Sequence, residues 1–128
     1  MTRVLAAVLA LAAVALSACG TSLCVRATEQ RSRIFNGKTK CEYTEGGSTL
    51  SITTDNSSTS QCEANLNSCT PADQTVINDW LKCLEGVTAC TAGNEKAAVD
   101  GTIACAARLF DTTSRTPKVS AACLQAFN

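Results

Sequence analysis

The chain contains no histidine. Ser-His-Asp and Cys-His nucleophilic sites and most zinc-assisted hydrolysis are thereby excluded, because each needs an imidazole as base or ligand. Its cysteines form no C-x-x-C, so the usual zinc spacing and the thioredoxin-like redox pair are both missing. There is no glycine-rich phosphate loop of the P-loop or dinucleotide type. No metal or cofactor is expected on these grounds. Aromatic residues are scarce, with one tryptophan, one tyrosine and three phenylalanines, so a core has to be built from small side chains. Eleven basic residues balance eleven acidic ones, which gives no electrostatic footprint for nucleic acid.

Long apolar runs are missing too. The longest, Val4 to Ala15, is too short for a helix to cross a hydrocarbon core of about 30 Å. It follows Met1, Thr2 and Arg3 and ends in small residues, which is the pattern of a cleavable signal peptide over residues 1–18. Leu16-Ser17-Ala18-Cys19 resembles the lipobox of bacterial lipoprotein precursors. The resemblance implies cleavage between Ala18 and Cys19, a diacylglycerol on the Cys19 thiol, and a fatty acid such as palmitate on the new amino terminus. One acyl chain gives only reversible attachment, whereas two or three make a durable anchor. Gly20 stands where some lipoproteins carry the aspartate that retains them in the inner membrane, which favours the outer membrane. Residues 19–23 then form the lipidated cysteine and a short tether, and residues 24–128 a single domain.

The cysteine count fits the same reading. Nine cysteines in an exported chain would leave one thiol over, but with Cys19 set aside as the lipid carrier eight remain. Cys24, Cys41, Cys62, Cys69, Cys83, Cys90, Cys105 and Cys123 are expected to form four disulfides. Each adds about 2 to 4 kcal/mol, a sizeable share of a small domain's stability.

The periodicity describes a mainly α, disulfide-stapled bundle of four to five helices with a short β-hairpin near residues 40–54. A helix is expected over 22–35, ended by Asn36-Gly37. Cys41, Tyr43, Leu50 and Ile52 alternate around a Gly46-Gly47 turn and read as the hairpin. Ser60 and Glu63 carry a capping-box signature, with Cys62, Leu66 and Cys69 on one helical face. Thr70-Pro71 restarts the chain as N-cap and N1, and Val76, Ile77, Trp80, Leu81 and Leu84 form an apolar stripe ended by Gly86. A further helix over 94–110 is expected to turn Val99, Ile103, Ala106 and Phe110 inward. The last begins at Thr116-Pro117 and buries Val119, Cys123 and Phe127. The segments 62–74 and 83–95 share a C-x6-C-T pattern, which reads equally well as a reused helix-end unit or as ordinary capping chemistry.

Helix geometry restricts the disulfide map. Cysteines seven positions apart on a helix are about 10 Å apart, beyond bridging range, so Cys62 is not expected to pair with Cys69. Cys69 and Cys83 lie at opposite ends of a helix about 20 Å long and are excluded in the same way. Antiparallel neighbours favour Cys62 with Cys83 and Cys90 with Cys123.

Residues 60–127, taken with the lipobox, resemble cysteine-rich lipoproteins of Gram-negative soil bacteria, and that resemblance brings no activity with it. The expectation is a non-enzymatic, lipid-anchored cell-envelope protein with a structural or partner-binding domain. Two alternatives stay open: a secreted disulfide-rich binding or inhibitor module, and an envelope hydrolase using a carboxylate pair drawn from Asp73, Asp79 and Glu85. Arg26, Arg31, Arg33, Lys38 and Lys40, set against Glu29 alone, give a local charge of +4 that could meet anionic lipid head groups. Trp80, inside the apolar stripe, reads as a core residue.

Overall fold

The computed structural model of the chain describes residues 23–54 and 58–127, so Ala18, Cys19 and the tether up to residue 22 lie outside the described residues. Five helices and one hairpin follow in chain order. Helix α1 covers 23–35. Strands β1 (Lys40–Glu45) and β2 (Ser48–Thr53) come next. Helix α2 (Thr59–Asn65) runs into a 3-10 turn, Leu66–Ser68, and is followed by α3 (Pro71–Glu85), α4 (Glu95–Ala106) and α5 (Ala121–Leu124).

Helix α1 ends where expected. Asn36 and Gly37 take positive φ of 49° and 77°, the left-handed exit that stops a helix. Leu23, read as the end of the tether, is buried in the first turn and belongs to the domain. The hairpin turn also matches its residues: Gly46 and Gly47 have φ of 58° and 80°, so the two-residue connection twists with its strands. Cys41 pairs with Ile52 and Tyr43 with Leu50, and the hairpin gains support by packing on α4.

The start of α2 differs from expectation. The capping box is Ser58 with Gln61 rather than Ser60 with Glu63, because Ser58-Thr59-Ser60-Gln61 satisfies the same motif two residues earlier. Cys62, Leu66 and Cys69 are buried, but the helix tightens to 3-10 at Leu66, which brings Cys69 into extended backbone ahead of α3. Thr70 caps α3 with Asp73 as its box partner, Pro71 occupies N1, and Gly86 closes the helix. Ile77, Leu81 and Leu84 are its buried face.

Helix α4 is shorter than 94–110, and Ile103 and Phe110 are 46% and 38% exposed rather than turned inward. Only Ala98, Val99 and Cys105 of this helix are buried. The chain leaves α4 after Ala106, and a turn held by Asp111 brings Phe110 into a bridge with Pro117. Pro117 therefore sits in paired extended backbone, and α5 starts later, capped by Ser120. The two C-x6-C-T segments diverge at the cap as well: Thr70 caps α3, whereas α4 follows Asn94 without a side-chain cap.

The eight cysteines of the described residues close into Cys24–Cys62, Cys41–Cys90, Cys69–Cys123 and Cys83–Cys105. Neither Cys62–Cys83 nor Cys90–Cys123 forms. The reason is in the crossing of α3 and α4. Cys83 and Cys105 occupy the last turns of both helices with Cα atoms 5.6 Å apart, whereas simple antiparallel neighbours would set the end of one helix against the start of the other. Cys90 lies in the α3–α4 loop, where its N–H donates to the Ile34 carbonyl at 2.7 Å, and it bridges to the strand residue Cys41. Cystines also fill the core: Cys24, Cys41, Cys90 and Cys123 stand beside Ile77, Leu81 and Val99 among the largest fully buried side chains. Sulfur takes the place that aromatic rings occupy in cores richer in them.

Candidate functional site

The stapled elements leave a groove with largely apolar walls. Helix α1 forms one wall through Ala27, Arg31 and Ile34, spaced i, i+4 and i+7 so that they share a face, with Phe35 beyond them. Trp80 and Leu84, four apart on α3, form the opposite wall. The end of β2 (Ile52, Thr53, Thr54), Thr102 of α4 and Phe127 from the C-terminal segment complete it. The volume is about 290 Å³ and one side is open.

Trp80 packs against the core as expected but is only half-buried, with part of its ring lining the groove. Its ring meets Phe127 edge to face, with centroids 6.4 Å apart and planes at 83°, a favourable arrangement for two aromatic quadrupoles. Phe127 is in place because the Cys69–Cys123 bridge anchors α5 just before it. Arg31 is the one charged side chain among the described residues lining the groove. A more open, polar depression ringed by Asp79, Lys82, Arg108 and Lys118, and a shallow one along Cys83, Val87, Gly101 and Cys105, lie elsewhere on the surface.

The carboxylates proposed as a pair do not converge. Asp73 is buried at the start of α3 and bonds to Thr70 and Ser120. Asp79 lies 3.5 Å from Arg108, and Glu85 2.8 Å from Arg26. Burial alone would raise the pKa of Asp73, but the Ser120 and Thr70 backbone N–H groups and both hydroxyls outweigh it and hold the carboxyl below its ordinary 3.8.

A polar cluster fastens the hairpin to α4. The Tyr43 hydroxyl donates to Asp100 at 2.7 Å, and Lys96 reaches Glu45 at 2.8 Å and Asp100 at 3.1 Å while sitting 4.6 Å above the Tyr43 ring. The bond to Asp100 raises the Tyr43 pKa, the bond to Glu45 raises that of Lys96, and the Tyr43 hydrogen bond lowers that of Asp100. All three shifts lead away from neutrality, so each group keeps its ordinary charge state, as in a structural clamp.

The basic segment is divided among different tasks. Arg26 donates to Asn78 at 2.6 Å and to Glu85 at 2.8 Å. Arg33 donates to the Val87 carbonyl at 2.6 Å and the Leu84 carbonyl at 2.5 Å, closing the end of α3. Lys40 pairs with Glu42, Lys38 is exposed in the turn after α1, and Arg31 faces the groove.

Together these features define a class, a disulfide-stapled helical domain carrying a hairpin and a groove with largely apolar walls. No protein-family model, curated protein or solved structure matches the chain. Of the groove residues Arg31, Ile52, Trp80, Leu84 and Phe127 stand out in the sequence, each within its own local pattern. The lining residues converge from five elements distant along the chain, and no local pattern links them.

Proposed function

We propose that the chain is a lipid-anchored cell-envelope protein, held through Cys19 to the outer membrane, which acts by binding through its stapled domain. The observation that carries this reading is the disulfide map. All eight cysteines from Cys24 to Cys123 are paired with one another, so Cys19 is left without a partner among them and is available to a lipid. The lipobox around Cys19 supplies the chemistry for its modification.

Helix α1 starts within four residues of Cys19, which sets the domain close to the bilayer surface. Arg26 and Arg33 hold partners on or just beyond α3 and Lys40 pairs with Glu42, so anionic head groups would meet the exposed Lys38, past the far end of α1. A contact there lays α1, about 20 Å long by its rise per residue, along the membrane. The groove, with apolar walls and one open side, supports a binding role.

Intact mass of the protein extracted from its own membranes tests the proposal. The expected result is a chain beginning at Cys19 with added acyl mass, with eight thiols appearing only after reduction. Protein recovered from the medium with an unmodified Cys19 would replace the reading by the secreted binding module.

A further inference from the structure

The two outer edges of the hairpin differ in character. Thr54 donates its N–H to the Thr39 carbonyl at 3.1 Å, so these residues form a hydrogen-bonded pair in the register that sets Cys41 against Ile52. Bonded and open pairs alternate along an antiparallel ladder, and Ser48, Leu50 and Ile52 therefore turn their N–H and C=O groups toward β1. Thr49, Ser51 and Thr53 turn theirs outward. All three residues are exposed, and among the described residues these outward groups have no hydrogen-bond partner.

An open strand edge is a template for another strand, and proteins guard it with charge, proline or a bulge. Strand β1 is guarded, since Lys40 and Glu42 stand at two of its three outward positions. Strand β2, Ser48-Thr49-Leu50-Ser51-Ile52-Thr53, has no charge and no proline, and its register is unbroken.

That strand is also complementary to itself. Laid antiparallel on a second copy about Leu50, it sets Leu50 against its own counterpart, Thr49 against Ser51 and Ser48 against Ile52, which are apolar and hydroxyl pairs with no like charges opposed. Leu50 is where cover is missing. It pairs with Tyr43 on the hairpin face that reaches α4, yet it is 45% exposed because α4 packs mainly on β1. With α4 over β1, the seam beside β2 stays clear for the second copy.

We propose that the chain forms a two-fold dimer in which β2 pairs with β2 of a second copy, antiparallel about Leu50. The product is a four-stranded sheet with the charged β1 strands outermost, so the assembly closes at two copies. The extra strands also stabilise a hairpin that is marginal as a pair. This goes beyond the reading above and needs neither the anchor at Cys19 nor the groove.

Disulfide capture in the cells that make the full chain tests it, with one cysteine introduced at a time and a mild oxidant added. Leu50→Cys should give a dimer on a non-reducing gel, because opposed residues of an open pair have Cα atoms about 4.5 Å apart, within bridging range. Ser48→Cys should not, since its counterpart lies four residues along the partner strand, about 13 Å away. Glu42→Cys, on the β1 edge, should stay monomeric too. Sedimentation of the isolated protein needs no new thiol and should show a monomer–dimer equilibrium. Ser51→Pro removes an outward N–H and leaves the bonds to β1 in place, and Leu50→Lys opposes two like charges. Each should weaken the dimer at least about tenfold, and Leu50→Lys covers the case in which proline disturbs the hairpin.

No captured dimer from Leu50→Cys with its native bridges intact overturns the proposal, as does equal capture at positions 42, 48 and 50, which reports random collision. A dimer indifferent to both Ser51→Pro and Leu50→Lys lies elsewhere on the surface and overturns it as well. A ladder of higher oligomers would show that β1 also pairs, and the closed dimer would fail.

Discussion

The Asp73 carboxylate joins the start of α3 to the start of α5. Its Oδ2 accepts from the Thr70 N–H at 2.9 Å and the Ser120 hydroxyl at 2.8 Å, and its Oδ1 accepts from the Ser120 N–H at 2.9 Å. Alongside, Cys69 and Cys123 bridge with Cα atoms 4.5 Å apart. A hydrogen-bonded carboxylate and a disulfide thus close the same junction, and Phe127 in the groove wall hangs from it. One residue completes a helix cap, accepts from two donors of another element and indirectly positions the groove.

Asp73→Asn should destabilise the domain by about 2 to 4 kcal/mol, because a charged acceptor is lost and the new amide turns N–H groups toward donors. For a domain of this size the melting temperature falls by about 10 °C. Thermal unfolding at neutral pH measures it. A melting point unchanged by the substitution would mean that the disulfide alone holds the junction.

The pH profile has a definite shape. Asp73, Asp100 and Asp111 have folded pKa values below the ordinary 3.8, so their stabilisation is fully present above that value and is lost as pH falls through the lower folded ones. Tyr43 and Lys96 are raised above 10.0 and 10.5, so their contribution is present below those values and is lost as pH rises through the folded ones. No histidine titrates between. Urea midpoints should be flat from about pH 5 to about pH 9 and fall on both sides, with Asp73→Asn shrinking the acid limb. A midpoint that drifts steadily across pH 6 to 8 contradicts this.

Local chemistry was legible in the sequence and long-range geometry was not. Asn36-Gly37, Gly46-Gly47 and Thr70-Pro71 have side-chain or backbone preferences that act within a few residues, and each sits where those preferences place it. The competing boxes at Ser58 and Ser60 differ in energy too little for sequence to choose, and the Thr28–Thr59 hydroxyl contact at 2.9 Å together with the Cys24 bridge favours the earlier start. The exposure of Phe110 followed from the chain leaving α4 early, which depends on the Asp111 turn, whereas Ile103 lies inside α4 and is exposed because only Ala98, Val99 and Cys105 of that helix find cover. The disulfide pairing needed the α3–α4 crossing, and the groove needed five elements at once. No spacing encodes either one.

Limited reduction should open Cys83–Cys105 first. Thiol–disulfide exchange requires access to a sulfur, and Cys83 is the half-cystine among the eight that is only partly buried. Alkylation under limiting reductant, followed by peptide mapping, should find Cys83 and Cys105 labelled while the other six remain paired. The double variant Cys83→Ala/Cys105→Ala should fold with three bridges and lose about 3 kcal/mol, as expected for a closed loop of this length. Early labelling of Cys24 or Cys41 would place the accessible bridge elsewhere.

Arg33 tests how α3 is closed, and with it one wall of the groove. Its guanidinium meets the Leu84 carbonyl, which also accepts the Val87 N–H at 3.0 Å, and the Val87 carbonyl just past the helix, and its charge complements the negative end of the helix dipole. Arg33→Gln removes the charge and at least one of the two bonds and should lower stability by about 1 to 2 kcal/mol, read as a shift in the urea midpoint with unchanged slope. Arg33→Lys keeps the charge without the planar fork, so it should recover only part of the loss. Full recovery by lysine would show that charge alone matters at this end. If glutamine left the midpoint in place, the Val87 N–H would suffice for the Leu84 carbonyl and water for that of Val87, and Leu84 would owe its position in the groove wall to α3 packing rather than to α1.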